Sequence, residues 1–174
     1  MISRKELISL RKRIKKAERD QKQKSIFLML KPYLHGNIGI YSPIQGEVDV
    51  LPFIQKKDFL YFPCVLDKMN MSFFKYTDKG QIGPYYIWEP NRINEIDKKE
   101  LNVICVPLVG FCGLHRIGYG KGYYDRFLKE VDALKIGLAF DCQEVFDYVP
   151  KKEDVAMDLI ITESRVIALE GMRT

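Results

Sequence analysis

The run "LNVICVPLVGFCGLHRIGYGKGYYDRFL", Leu101 to Leu128, decides the fold. Its first ten residues are the most apolar stretch of the chain and fit a buried central strand. Gly118, Gly120 and Gly122 then alternate around a single Lys121, and from Tyr123 to about Glu130 the chain reads as a helix. "LKIGLAF", Leu134 to Phe140, is the next strand. Strand, loop, helix and strand make a βαβ unit, which implies a largely parallel sheet.

Working outward, "NIGIYS" (Asn37 to Ser42), "FLYFPCV" and "MSFFKY" read as earlier strands, and "DLIITE" (Asp158 to Glu163) and "RVIAL" (Arg165 to Leu169) as later ones. "VDVLPFIQKK" is an indistinct helix weakened by Pro52, and "QIGPYYIWEP" a loop punctuated by Gly and Pro. At the start, Leu7, Leu10, Ile14 and Ala17 recur at helical spacing. Ser3 and Glu6 form a capping box, which predicts a helix from Arg4 to Arg19 and a second from Lys22 to Leu30, before Pro32. The expected fold is α/β: one domain over 1–174, in three layers, with a mostly parallel central sheet and a basic N-terminal helix.

The net charge of +5 is uneven, with ten Lys/Arg against three Asp/Glu from Met1 to Lys24. Such a segment could meet nucleic acid or a phosphorylated small molecule, or be the solvated face of a helix. Cys64, Cys105, Cys112 and Cys142 form no CxxC pair, and His35 and His115 are the sole histidines, so a zinc site is poorly supported. Reduced cysteines, no apolar run of membrane length and a polar N-terminus place the protein in the cytoplasm.

The glycines let several N–H groups turn toward one anion, the helix start at Tyr123 adds donors, and Arg116 and Lys121 add charge. A Walker loop needs Ser or Thr where Gly122 stands, and a dinucleotide fingerprint needs Gly where Tyr123 stands. The segment is thus a phosphate cradle of another kind or a tight turn without ligand. Arg116, Lys121 and Asp125 together favour phosphate and metal. In "PKKEDVAMDLIITE", Asp154 and Asp158 stand four apart. Asp125 and Asp158 could hold Mg²⁺, with Asp154 either a further ligand or a turn residue. After "IYSP", Glu47 could accept hydrogen bonds from the ring N–H groups of a pterin, or be a solvated loop residue.

Taken in order, the segments "Y.P..GE.D" (Tyr41 to Asp49), "VP..GF", "R.GYGKGYYDRFL", "IGLAFD.Q" and "P...DV.MD.IITE" resemble the 5-formyltetrahydrofolate cyclo-ligase family. The resemblance covers nearly the whole chain. It implies that ATP, as co-substrate with Mg²⁺, phosphorylates the formyl oxygen of 5-formyltetrahydrofolate, and that ring closure releases phosphate and 5,10-methenyltetrahydrofolate. Carried over by motif, Arg116, Gly118, Gly120, Lys121 and Gly122 embrace the phosphates. Tyr123 and Tyr124 line the junction with the folate, Asp125 and Asp158 bind Mg²⁺, and Glu47 binds the pterin. Arg116, Lys121 and Tyr124 are thereby expected to be catalytic, and Tyr41 to lie on the substrate side. Tyr119 stands in the phosphate loop where some members carry a second arginine.

Two departures stand out. The N-terminal basic pair of the family has no single match: Arg4, Lys5 or Arg11 could reach ATP. Glu153 also stands where a histidine is frequent. Trp88, with Tyr85 and Tyr86, either stacks on the folate or forms a satellite core. The expected partners are small molecules, with no nucleic acid and no membrane, and the expected state is a monomer. An RNA-binding module and another ATP-dependent ligase or kinase are the competing classes.

Overall fold

The computed structural model describes residues 1–171. Two helices open the chain, α1 (Arg4–Lys12) and α2 (Lys16–Leu30). The capping box forms as expected, Ser3 accepting from the Glu6 N–H while the Glu6 carboxylate accepts from the Ser3 N–H. The predicted helix boundaries are corrected. The apolar spacing runs across Arg13–Lys15, yet the chain breaks there, and Lys15 is extended at φ −66°, ψ 150°.

The strands are β1 (Ile38–Gly39), β2 (Leu60–Val65), β3 (Met71–Lys75), β4 (Gly80–Ile82), β5 (Trp88–Pro90), β6 (Val103–Pro107), β7 (Gly110–Cys112), β8 (His115–Ile117), β9 (Leu134–Leu138), β10 (Leu159–Ile161) and β11 (Val166–Ala168), with helix α3 (Tyr123–Leu128) before β9. Seven of them form one sheet in the order β11-β10-β9-β6-β1-β2-β3. All internal pairings from β10 to β2 are parallel, and only the edge strands β11 and β3 run antiparallel. "QIGPYYIWEP" is not a plain loop: β4 and β5 pair into a hairpin whose tip, Tyr85 and Tyr86, takes φ of 62° and 60°.

Two cores sandwich the sheet. On one face Ile26 and Leu30 of α2 cover Ile38, Leu60, Val103, Ile136 and Leu159. On the other, Phe127 and Leu128 of α3 cover Phe73, Ile104, Val106 and Ile160. Strands buried on both faces must be apolar throughout, which is why β6 and β10 carry no alternation. A third, smaller cluster of Leu7, Val109, Ile117 and Val145 seats α1 at the carboxyl end of the sheet.

Candidate active site

From β1 the chain moves to β2 on one side; from β6 it moves to β9 on the other. Between such a pair of strands the connections part and leave a crevice at the carboxyl ends, where open α/β sheets bind ligands. A cavity of about 680 Å³ opens there. Its walls come from the segment after β1 (Tyr41, Glu47), the glycine loop (Arg116 to Asp125), the β4–β5 hairpin (Tyr85, Glu89) and the crossover to β10 (Asp154).

The glycine loop does not leave β6 directly. The β7–β8 hairpin intervenes, so the loop starts from β8. Gly120 and Gly122 are left-handed, at φ 90° and 74°. Gly122 caps α3, and a Cβ there would fall 2.5 Å from Arg126 Nη1. That guanidinium is itself pinned to Met69 O and Lys121 O. Gly122→Ala is expected to cost about 1–2 kcal/mol and lower Tm by roughly 2–8 °C, measured by thermal unfolding. Gly118 has another reason: a Cβ would sit 2.9 Å from Arg116 Nη1. With six residues, α3 is too short for much of a dipole, so the loop amides and cations carry the attraction for anions.

Arg116 is buried beneath this loop. Its Nη1 donates to Pro107 O at 3.0 Å, its Nη2 stands 3.6 Å from Asp125 Oδ2, and its guanidinium lies 5.2 Å from the Tyr124 ring centre. Its Nε is buried and has no hydrogen-bond partner among the described residues. Lys121 is exposed at the rim, its Nζ 6.0 Å from the Tyr85 ring centre. Arg4 reaches the loop from α1, donating to Gly118 O at 2.7 Å.

Lys5 is exposed and away from the cavity, and Arg11 is corrected as an ATP ligand. Its side chain is fully buried, donating to Gln45 O, Leu108 O and the Tyr119 hydroxyl, and it does not line the cavity. Arg19 also turns inward, to Gly46 O and across the Phe140 ring. Part of the basic N-terminal segment is therefore internal structure.

Glu47 is buried on the cavity wall, accepting from the Ile44 N–H and the Tyr119 hydroxyl, each at 3.0 Å. Burial pushes its carboxyl pKa up; the Ile44 N–H, Arg11, Tyr119 and Arg116 oppose that rise. Tyr41 donates to Val48 O at 2.7 Å and is locked as a neutral phenol, chiefly by burial. Burial likewise pushes the Tyr124 hydroxyl up. Tyr123 donates to Asp67 O and meets Tyr85 edge-on at the cavity mouth.

Trp88 is not brought to this cavity. It packs against Phe62 and Tyr76 in the core and borders a separate recess of about 300 Å³. Asp158 is corrected as a partner of Asp125. Its carboxylate accepts from the Lys135 N–H at the amino end of the β9–β10 pair, the far end of the sheet from the cavity. Of the two aspartates four apart, it is Asp154 that lines the cavity, accepting from the Tyr148 hydroxyl and the Lys151 N–H. Burial works to raise its pKa, but those bonds and the Lys151 and Arg116 charges prevail and hold it below the usual carboxylate value.

A family model described as the 5-formyltetrahydrofolate cyclo-ligase family matches residues 2–163. The chain belongs to that family. It is a ligase of folate one-carbon metabolism. The 5-formyltetrahydrofolate cyclo-ligase of Mycoplasma genitalium is 34% identical over 159 residues, covering 85% of this chain and 86% of the relative. That of Escherichia coli is 27% identical over 143 residues, covering 74% and 79%. The Aquifex aeolicus 5,10-methenyltetrahydrofolate synthetase structure superposes at a TM-score of 0.84 with 29% identity, covering 98% of this chain and 93% of its own. The Mycoplasma pneumoniae synthetase gives 0.74 with 26% identity, covering 92% and 96%. The α/β fold of these synthetases is the fold found here.

Besides the basic loop, the cavity has an acidic wall. Asp125 Oδ1 accepts from the Val155 N–H at 3.2 Å, which sets it against the residue following Asp154. Among the described residues no three His, Cys, Asp or Glu side chains gather as a metal cage. Magnesium carried on a triphosphate needs one or two carboxylates and keeps waters, so Asp125 and Asp154 suit it. The sequence left Asp154 open between a further ligand and a turn residue; the crossover that passes the carboxyl end of the sheet before β10 brings it to the cavity.

Proposed function

We propose that this chain converts 5-formyltetrahydrofolate to 5,10-methenyltetrahydrofolate at the expense of ATP, with Mg²⁺. The observation that carries the reading is the meeting, in one cavity, of the phosphate-type loop with its cations and the buried acceptor Glu47. The γ-phosphoryl group passes to the formyl oxygen as its bond to the ADP oxygen breaks, giving an iminium phosphate. N10 then attacks that carbon, the carbon–oxygen bond breaks, phosphate leaves and N10 gives up its proton.

Arg116 and Lys121 stabilise the charge spread over the moving phosphoryl group, and Arg4 holds the loop and reaches the same anion. Glu47 fixes the pterin edge, while Tyr41 and Tyr124 wall off water. Asp125 and Asp154 would hold Mg²⁺, which supplies countercharge to the phosphates when bound. The reading includes action as a monomer on small molecules in the cytoplasm, without nucleic acid. No described helix is long and apolar enough to cross a membrane.

The test is to mix protein, ATP, Mg²⁺ and 5-formyltetrahydrofolate and follow the near-ultraviolet band of the methenyl product. The band should need all four components. Lys121→Ala should lower kcat/KM roughly 100-fold, as loss of one charge-stabilising donor does. A full complement that yields no band overturns the reading.

A further inference from the structure

Tyr119 stands in the phosphate loop but turns its hydroxyl away from it. The oxygen lies 2.6 Å from Arg11 Nη2 and 3.0 Å from Glu47 Oε1. A guanidinium only donates, so the hydroxyl must accept from Arg11 and send its one proton to Glu47. The other carboxylate oxygen takes the Ile44 N–H at 3.0 Å. Both oxygens of Glu47 are thus fixed as acceptors, each with a lone pair remaining, and Arg11 Nη2 sits 3.9 Å from Oε1. The backbone bearing Glu47 is clamped as well. Arg11 Nε donates to Gln45 O and Arg19 Nη1 to Gly46 O, across a turn in which Gln45 is left-handed at φ 47°.

We infer that Arg11 and Tyr119 are positioning residues that hold Glu47 as an ionised, two-oxygen acceptor for the N–H edge of the substrate ring; this rests on the folate reading above. Tyr119 therefore serves the folate side of the cavity although its backbone belongs to the phosphate side. The groups that face Glu47 are Arg11 from α1, Arg116 from β8, Tyr119 from the loop, Tyr41 after β1 and Tyr124 from α3. Burial raises the Glu47 pKa and the Tyr119 bond lowers it. Removing that bond leaves the folded value higher still, so ionisation is lost sooner as pH falls.

Tyr119→Phe keeps the ring and tests the role. KM for 5-formyltetrahydrofolate should rise about ten-fold with kcat changed far less, and KM for ATP should hold. The acid limb of kcat/KM for the folate should move up by about one pH unit, and in Glu47→Gln that limb should vanish. An unmoved acid limb, or a rise in KM for ATP in place of that for folate, overturns the assignment. A second readout needs no turnover: the Glu47 carboxyl carbon, identified by its loss in Glu47→Gln, is titrated by ¹³C NMR in the free protein. Its midpoint should rise in Tyr119→Phe, and an equal midpoint in the two proteins overturns the inference even if the enzyme assay succeeds. Absence of turnover in the wild type would instead sink the folate reading and leave the titration to decide this one.

Discussion

Replacing Arg116 by lysine is expected to lower kcat/KM about 10³-fold, close to what loss of a preorganised transition-state donor costs. The charge is retained, so the effect isolates geometry. Arg116 meets three unlike neighbours at once: Pro107 O, the Asp125 carboxylate and the face of the Tyr124 ring. A planar fork can serve all of them at once; an ammonium on a flexible stem cannot. Single-turnover measurement with ATP in excess separates the phosphoryl step from binding. Activity within about ten-fold of the wild type would remove Arg116 from the reacting centre.

Asp125→Asn is expected to lower kcat/KM about 10²-fold and, in addition, to make the demand for Mg²⁺ steeper. An amide oxygen can still accept from the Val155 N–H, although the charge beside Arg116 Nη2 is lost. It removes charge where the phosphates and their cation would meet the acidic wall. Asp154→Asn should move the same two quantities, because its carboxylate lines the same cavity. Asp158→Asn should leave the Mg²⁺ dependence alone, because that carboxylate serves the Lys135 N–H. Magnesium titrations of the three variants check the set, and a metal effect confined to Asp158→Asn would reverse the assignment.

The sheet was legible because its signal is redundant. β6 and β10 are apolar on both faces, and a parallel crossover allows few arrangements. The glycine loop was legible because its backbone freedom and charges are adjacent in sequence. What escaped depends on distant partners. Arg11 read as one of three cations that could reach ATP, and its partners Gln45 O, Leu108 O and Tyr119, 34 to 108 residues on, make it internal. The Asp154–Asp158 spacing suggests a pair only if the chain coils. The segment carries no helix, and four extended residues span up to about 13 Å, enough to leave the two at different ends of the sheet. Trp88 looked like a loop aromatic because the β4–β5 hairpin that folds it onto Phe62 has weak strand character.

During synthesis Arg11 leaves the ribosome long before Leu108 and Tyr119 exist to receive it. The helix that carries it must wait, or bind elsewhere, until roughly two thirds of the chain has emerged. Docking of α1 is thus expected to be a late event, sealing the Glu47 turn only after the parallel strands have assembled, and shortening the chain at its beginning should harm folate recognition before it harms the sheet.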